Sequence, residues 1–246
     1  MEVALQFIAQ LKDYNFSVQM NLDAALFFWI SNERSILEKL YLDVLIACLK
    51  EIVKALKSEP EKALIELREI GKTLDSIVPY RDGHSERVAK YAVAIAERIG
   101  FNKGQLVMIE ASALLHDLGK IGIDETILYK PEPLTREERE ELNKHVLKGY
   151  HILSGFTDIP EVLNGIKCHH EFWDGSGYPE GLEDGEIPLI GRILAVCDAY
   201  DAMTSKRPYR KIFTKQEAIK ELKRLSGIQF DAEVVRVFLT VIGGKV

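Results

Sequence analysis

The chain has 246 residues, of which 47% are hydrophobic and 28% are charged, and its formal net charge is −6 at pH 7. This balance predicts an ordinary globular protein with one large core, or one core and a small satellite domain. The negative net charge argues against a protein that coats a DNA or RNA duplex through a broad basic face. Three cysteines without a CxxC pair indicate neither a disulfide framework nor a zinc knuckle.

Membrane insertion and secretion are also disfavoured. Polar side chains such as Asp43 interrupt each apolar stretch before it reaches the roughly 18 residues that suggest a membrane span. The first ten residues, MEVALQFIAQ, have an acid at position 2 and no basic region before an apolar block, which is unlike a secretory signal. We therefore expect a cytoplasmic protein without a membrane span.

Apolar residues recur at helical spacing along nearly the whole chain, and no segment shows the sustained alternation of a strand. The sequence therefore predicts an all-α fold. Apolar residues from Leu37 to Leu56 mark one face of a first helix, whose other face is charged. Pro60 then stands where a second helix would begin.

The second predicted helix carries an apolar stripe with alternating spacings of four and three: Ala63, Leu67, Ile70, Leu74 and Ile77. Such a stripe suits either a short coiled coil or packing on the chain's own core. We favour the core and keep a homodimer through the N-terminal helices as the alternative. The residues that could carry out chemistry all lie beyond Pro79. We therefore predict a helical N-terminal region of unknown function at 1–76 and a second domain at 77–246, which contains these residues.

Further helices are predicted downstream of this boundary. Residues 88–99 form one amphipathic segment that ends at Gly100, and residues 106–115 form a more buried one. Two capping-box pairs open additional helices: Thr135 with Glu138, and Thr214 with Glu217. Glycine and proline are frequent in residues 174–185, which predicts a loop there.

The histidines provide the first functional signal, because all of them lie in the downstream two thirds of the chain: His84, His116, His145, His151, His169 and His170. Asp117 follows His116 at the end of an apolar helix, and Asp198 lies inside the apolar segment ILAVCDAYDAMTS. A carboxylate is rarely buried without a partner, and a cation would remove that cost. The pattern therefore predicts a metal site.

The types of ligand indicate the metal and the reaction. Imidazole and carboxylate groups without thiolates suit Mn, Fe or Zn rather than a structural zinc cage. The candidates are more numerous than one ion needs. Two divalent ions about 3.5–4 Å apart can activate a water and stabilise both the attacking and the leaving oxygen of a phosphoryl displacement. We expect two divalent ions, with iron or manganese favoured over zinc, and phosphodiester hydrolysis.

A series of motifs resembles the HD-GYP family of phosphodiesterases, within the HD hydrolase superfamily. The motifs stand in the family's order: GHSERVAKYA, LLHDLGKIGI, HHEFWDGSGYP and RILAVCDAYDAMTSKRPYR. The resemblance covers about residues 78–242, and HHE..DGSGYP is far more specific than an isolated HD pair. It implies an HD-domain helical bundle that hydrolyses cyclic di-GMP to linear pGpG, with another cyclic dinucleotide, such as cyclic GMP-AMP, as the alternative substrate.

The resemblance also implies roles for individual residues. It implies that a first ion is held by His84, His116, Asp117 and Asp198, and a second by Asp117, His145, His169 and His170. Asp117 would then bridge the two ions. Lys120 would contact a phosphate or neutralise developing charge, and Tyr178 would line the pocket. Arg207 and Arg210 would grip the phosphates of the dinucleotide, a task that suits a planar guanidinium.

Two positions depart from the family's pattern. Many relatives have a glutamate four residues before the first histidine, where it helps to bind a third ion, whereas this chain has Tyr80. We therefore expect two ions, and this leaves open whether hydrolysis stops at pGpG or continues to GMP. Phe172 stands where relatives often have a basic residue, so one phosphate contact is expected to be missing.

Two other functions stay as alternatives. A receptor or adaptor would bind the dinucleotide without turnover and signal through the N-terminal helices. Receptors that have lost activity usually lack some metal ligands, whereas this sequence retains all seven of the implied positions. A hydrolase of mononucleotides is the other alternative. Two features argue against it: the GYP loop, which is the predicted loop at 174–185 with the GYP motif at 177–179, and the RPYR segment at 207–210.

Overall fold

A computed structural model describes residues 36–78, 83–205 and 212–243 of the chain. Within these ranges there is no strand, and β-type pairing is limited to two isolated bridges, Asp174 with Glu183 and Ser226 with Phe230. The predicted all-α fold is confirmed. Among the helices in these ranges, none is both long and apolar enough to cross a membrane.

The described helices are, in chain order, α1 (Ile36–Ala55), α2 (Pro60–Ile77), α3 (His84–Arg98), α4 (Lys103–Leu115), α5 (Glu125–Leu128), α6 (Arg136–Asn143), α7 (His145–Ser154), α8 (Pro160–Cys168), α9 (Leu189–Thr204), α10 (Lys215–Leu225) and α11 (Ala232–Val241). Two short 3₁₀ segments, Leu118–Gly122 and Asp184–Glu186, interrupt the loops. The second 3₁₀ segment lies at the end of the loop predicted from glycine and proline content.

Local sequence signals explain several helix starts. Pro60 and Pro160 occupy the first positions of α2 and α8, where a missing N–H removes no helical hydrogen bond. Both predicted capping boxes form: the hydroxyl of the threonine accepts from the amide three residues on, and the glutamate there accepts from the threonine amide, at Thr135 with Glu138 and Thr214 with Glu217.

The apolar stripe on α2 packs on the chain's own core, as we favoured. The four members whose side chains are described are all buried: Ala63, Leu67, Ile70 and Leu74. Burial of a leucine side chain stabilises a fold by roughly 1.5–3 kcal/mol, so the stripe attaches α2 firmly. Helix α2 contacts α3, α4 and the first 3₁₀ segment, while α1 contacts α2. The boundary at residue 76 and the homodimer stay predictions.

Five of the described helices surround the place where the histidines meet. Helix α3 packs on α4 and α9, and α8 packs on α4, α7 and α9. The first 3₁₀ segment packs against α7 at Gly119, where an added Cβ would lie 1.8 Å from the carbonyl oxygen of His145. Only a residue without a side chain permits this approach. Gly119 therefore determines how closely the HD pair approaches the start of α7.

Candidate metal centre

The predicted ligands sit at the ends of helices, where the chain can aim them at one point. His84 and His145 are the first residues of α3 and α7. The HD pair, at 116–117, follows α4 directly, and the HH pair, at 169–170, follows α8. Asp198 lies inside α9. Most of these side chains are buried, although water would hydrate them well, so their burial requires compensation.

One group of ligands contains His84, His116 and Asp117. One ligand atom from each residue lies within 4.8 Å of the others, which is close enough to share a metal ion. The two Nε2 atoms of His84 and His116 are 3.3 Å apart. The Oδ1 atom of Asp198 is also 3.3 Å from His84 Nε2, so Asp198 joins this group as the sequence predicted.

A second group contains His145, His169 and His170. Their ligand atoms also lie within 4.8 Å of one another. The Nε2 atoms of His145 and His169 are 3.4 Å apart, and the rings of His169 and His170 have centroids 4.2 Å apart. The sequence resemblance assigned these three histidines to one ion, and the structure brings them together.

Asp117 lies between the two groups and turns one oxygen to each. Its Oδ2 atom is 3.5 Å from His116 Nε2 and 3.8 Å from His84 Nε2. Its Oδ1 atom is 3.5 Å from His145 Nε2. A carboxylate with this orientation can bind one ion through each oxygen, which is the geometry expected of a bridging ligand.

The hydrogen bonds of the imidazole rings show which nitrogen faces the centre. Three rings place Nδ1 against a backbone carbonyl oxygen: His116 on Ala113 at 2.7 Å, His145 on Leu142 at 2.8 Å, and His169 on Ile166 at 2.7 Å. A carbonyl only accepts, so Nδ1 carries the proton and a neutral ring keeps its lone pair on Nε2. The lone pairs of His145 and His169 then face each other and repel. A cation would relieve that repulsion, so the donor set fits a metal.

Burial keeps these rings neutral. It lowers the pKa of His116, and it lowers the pKa values of His145 and His170 well below the ordinary value. For His169, burial and then the nearby histidines lower the pKa to about 3. Metal binding requires neutral imidazole, so the centre holds its ligands in the required form at neutral pH.

Lys120 supplies positive charge beside the two groups. Its ammonium donates to Asp117 Oδ2 at 2.5 Å, and its side chain is buried. After burial, the charge of Lys120 is the next cause of the lowered pKa of His145. Lys120 therefore acts electrostatically on the second group while it contacts the Asp117 carboxylate.

The GYP loop lies against the second group. The ring of Tyr178 stacks on His170, with centroids 5.0 Å apart and planes at 29°, and its amide donates to the His170 carbonyl at 3.1 Å. Burial raises the pKa of Tyr178, which keeps the phenol neutral. At Gly177, an added Cβ would lie 2.2 Å from the amide nitrogen of Phe172, so only glycine permits this path of the loop.

Glu171 is a residue that sequence reasoning left without a role. Its carboxylate is buried and accepts hydrogen bonds from the amides of Glu180 at 2.8 Å and Leu182 at 3.1 Å. These bonds tie the far side of the GYP loop to the residue that follows the HH pair. The sequence signal that could have identified Glu171 is its position directly after the HH pair.

Asp201 and Arg87 were also missed. Asp201 Oδ2 lies 2.6 Å from His84 Nδ1, and Arg87 Nε donates to Asp201 Oδ1 at 2.5 Å. The sequence signal that could have identified Asp201 is a second acid in the same apolar segment, one helical turn after Asp198. The predicted phosphate contacts Arg207 and Arg210 lie outside the described residues, as does Tyr80.

An HD domain family model matches residues 70–234. The chain is 41% identical over 213 residues to a cyclic di-GMP phosphodiesterase of Thermotoga maritima, covering 84% of this chain and 55% of the relative. It is 38% identical over 180 residues to the cyclic di-GMP phosphodiesterase response regulator RpfG of Xanthomonas campestris, covering 70% and 47%.

A third relative is the 3'3'-cGAMP-specific phosphodiesterase 2 of Vibrio cholerae, 32% identical over 231 residues, with 90% of this chain and 43% of the relative covered. The chain thus spans about half the length of these curated relatives.

Two solved structures share the fold. The HDG"Y"P protein Bd1817 of Bdellovibrio bacteriovorus has a TM-score of 0.56 at 16% identity, covering 87% of this chain and 74% of that one. The cyclic GMP-AMP phosphodiesterase V-cGAP3 of V. cholerae has a TM-score of 0.58 at 19% identity, covering 72% and 48%. Because the segment matched by the family model contains the HD pair, the HH pair and the GYP loop, the chain belongs to the HD domain family and, within it, to the HD-GYP group.

Proposed function

We propose that this chain is a metal-dependent phosphodiesterase that hydrolyses cyclic di-GMP to linear pGpG. The observation that carries the proposal is the position of Asp117, with one carboxylate oxygen toward each group of histidines. Paired divalent sites of this kind suit displacement at phosphorus. The names of the Thermotoga and Xanthomonas relatives support cyclic di-GMP as the substrate.

We propose two ions, each iron or manganese, because the donors are imidazoles and carboxylates without thiolate. The first would be held by His84, His116, Asp117 and Asp198, and the second by Asp117, His145, His169 and His170. When bound, such ions supply Lewis acidity and activate a water molecule for attack on phosphorus.

The side chains around the centre would bind and orient the substrate. Lys120 contacts Asp117, which lies between the two groups of histidines. Its ammonium could therefore balance the charge of a phosphate bound at the centre. Tyr178 presents a neutral phenol and a ring beside His170. Arg207 and Arg210 follow α9 in sequence, and we propose that they grip the phosphates. With a net charge of −6, the chain needs this positive charge to be local.

The reaction balances with one water. The water oxygen forms a new bond to one phosphorus, and the bond from that phosphorus to the ribose 3′ oxygen breaks. One water proton ends on the 3′ oxygen, the other stays on the new phosphate monoester or passes to solvent, and the product is a linear dinucleotide with a 5′ phosphate. A second hydrolysis of the same kind would yield GMP.

A mixed cyclic GMP-AMP is the second candidate substrate. The observation in its favour is the similarity to cGAMP-specific enzymes of V. cholerae, at 32% and 36% identity. A receptor without turnover is a weaker candidate, because the ligand positions form two converging groups. We further propose a cytoplasmic location for the protein.

The direct test follows both substrates with metal-loaded protein. The full chain is purified without oxygen, its metals are measured, and it is loaded with Fe(II) or Mn(II). Cyclic di-GMP and 3'3'-cGAMP are then followed by chromatography. Appearance of pGpG with about two metals per chain is the expected result. Tight binding of either dinucleotide without product would favour the receptor, and faster loss of cGAMP would reassign the substrate.

A further inference from the structure

His84 differs from the other oriented histidines in the partner of its Nδ1 atom. His116, His145 and His169 direct Nδ1 to backbone carbonyls. His84 directs Nδ1 to a carboxylate, Asp201 Oδ2, at 2.6 Å. An ionised carboxylate only accepts, so this contact keeps the proton of His84 on Nδ1 and its lone pair on Nε2, toward the centre.

Asp201 is itself held from a second side. Arg87 Nε donates to Oδ1 at 2.5 Å and Arg87 Nη2 donates to Oδ2 at 3.1 Å, which makes a two-point contact between guanidinium and carboxylate. The hydroxyl of Ser205 lies 3.2 Å from Asp201 Oδ2 and 3.1 Å from Arg87 Nη2. Asp201 is 2% exposed, so water contributes little to the orientation of its carboxylate.

The two carboxylate oxygens of Asp201 divide their partners. Oδ1 accepts from Arg87 Nε, while Oδ2 lies against His84 Nδ1 and Arg87 Nη2. One carboxylate therefore contacts the imidazole and the guanidinium at the same time.

These residues lie in two pairs, each on one helix. Asp198 and Asp201 stand one turn apart on α9, and His84 and Arg87 stand one turn apart at the start of α3. Each helix thus contributes one ligand candidate and one supporting residue. The contact between α3 and α9 aligns the two pairs.

We propose that Asp201 and Arg87 are positioning residues for the first metal site, where Asp201 orients His84 and Arg87 orients Asp201. The inference rests on the proposed metal-dependent function and deepens it. His84, in the first site, is oriented by a side chain, whereas His116 in the same site and His145 and His169 in the second are oriented by backbone carbonyls. Loss of the Asp201 carboxylate should therefore weaken the binding of one ion and leave the binding of the other unchanged.

The test measures Mn(II) binding by the full chain against graded chelator, with metal content read by mass spectrometry. Asp201→Asn preserves volume but cannot satisfy both partners, and one of the two ions should bind 10–100-fold more weakly, the typical effect of changing a residue behind a ligand. The matched control is Asp231→Asn. Asp231 is also buried and paired with an arginine, Arg192, at 2.8 Å, but it caps α11. That variant should keep both ions.

A double-mutant cycle identifies the ion that is affected. In a His84→Ala background, Asp201→Asn should have no further effect on affinity, whereas in a His145→Ala background it should keep its full effect. An equal effect in both backgrounds, or wild-type affinity in the single variant, would overturn the inference. Wild-type protein that takes up no metal would instead contradict the proposed function.

Arg87 offers a second route if Asp201→Asn fails to fold. Its side chain is 39% exposed, so Arg87→Gln should fold while it removes the two-point contact. Arg87→Gln should lower the affinity for the same ion by a smaller factor than Asp201→Asn. Arg87→Lys should recover part of that affinity. Unchanged binding in Arg87→Gln would remove Arg87 from the positioning role.

Discussion

The Nε2 atoms of His145 and His169 face each other at 3.4 Å, while the Nδ1 atom of each ring lies against a backbone carbonyl. Two lone pairs in this arrangement repel in a buried place, where water does not screen them. The fold thus holds a repulsive contact that a cation would convert into an attractive one.

Metal should stabilise the folded chain. A ligand that binds only the native state at 100 times its Kd adds about 2.7 kcal/mol to the free energy of unfolding. We expect Mn(II) to raise Tm and EDTA to reverse the rise, as measured by calorimetry. The same addition to a His116→Ala, Asp117→Ala double variant should leave Tm unchanged. Equal stabilisation of both proteins would place the metal elsewhere.

That double variant should also lose metal uptake and turnover. His116 is in the first group, and Asp117 faces both groups. His170→Ala serves as the comparison, because it removes a ligand of the second group alone and should leave one ion. Activity retained by the double variant, followed by chromatography of cyclic di-GMP, would contradict the assigned centre.

The metal-free protein should become less stable as the pH falls from 7 to 5. The folded pKa of His169 is about 3, and burial also lowers the pKa values of His116, His145 and His170. An unfolded histidine titrates near 6.5, so below that pH the unfolded chain binds more protons than the folded chain. Stability is therefore lost with falling pH, by about 2 kcal/mol for His169 between pH 6.5 and 5.

Urea unfolding in EDTA at several pH values measures this loss. His169→Gln removes one of the titrating groups, so the unfolding free energy of that variant should fall less steeply with pH than that of the wild type. Identical slopes would show that His169 takes up a proton in the folded protein as readily as in the unfolded chain.

Gly119→Ala should destabilise the fold. The added Cβ would lie 1.8 Å from the His145 carbonyl oxygen and 2.5 Å from the Gly149 amide nitrogen, so the HD turn must move away from α7. We expect a cost of about 1–3 kcal/mol or more, typical of overpacking, together with weaker metal binding. Gly185→Ala is the control, because a Cβ there meets nothing within 4 Å. Equal Tm values for the two variants would contradict the close approach.

Glu171→Ala should loosen the GYP loop. It leaves the amides of Glu180 and Leu182 without their carboxylate acceptor, at about 1–3 kcal/mol for each donor that stays unsatisfied. Because the loop carries Tyr178, we expect a higher KM and a lower Tm. Glu180→Ala, in the same loop, removes only an exposed ion pair with Lys167 and should change little. A wild-type KM in Glu171→Ala would show that the loop holds its position without this residue.

Patterns local in the chain were sufficient to predict much of this protein. Helical periodicity predicted the all-α fold, and the capping boxes at Thr135 and Thr214 predicted helix starts, because both signals depend on residues within a turn or two of each other. The motif resemblance identified the seven candidate ligands, since chemistry requires particular residue types.

Only the tertiary structure decided how distant residues meet. The assignment of one oxygen of Asp117 to each group of histidines depends on the approach of the HD turn to α7 at Gly119. The roles of Asp201, 117 positions after His84, and of Glu171 depend on helix packing and on the path of a loop. Such contacts produce no periodic pattern in the sequence. The role of a buried carboxylate depends on which residues lie next to it in the folded chain, and these are far away in sequence.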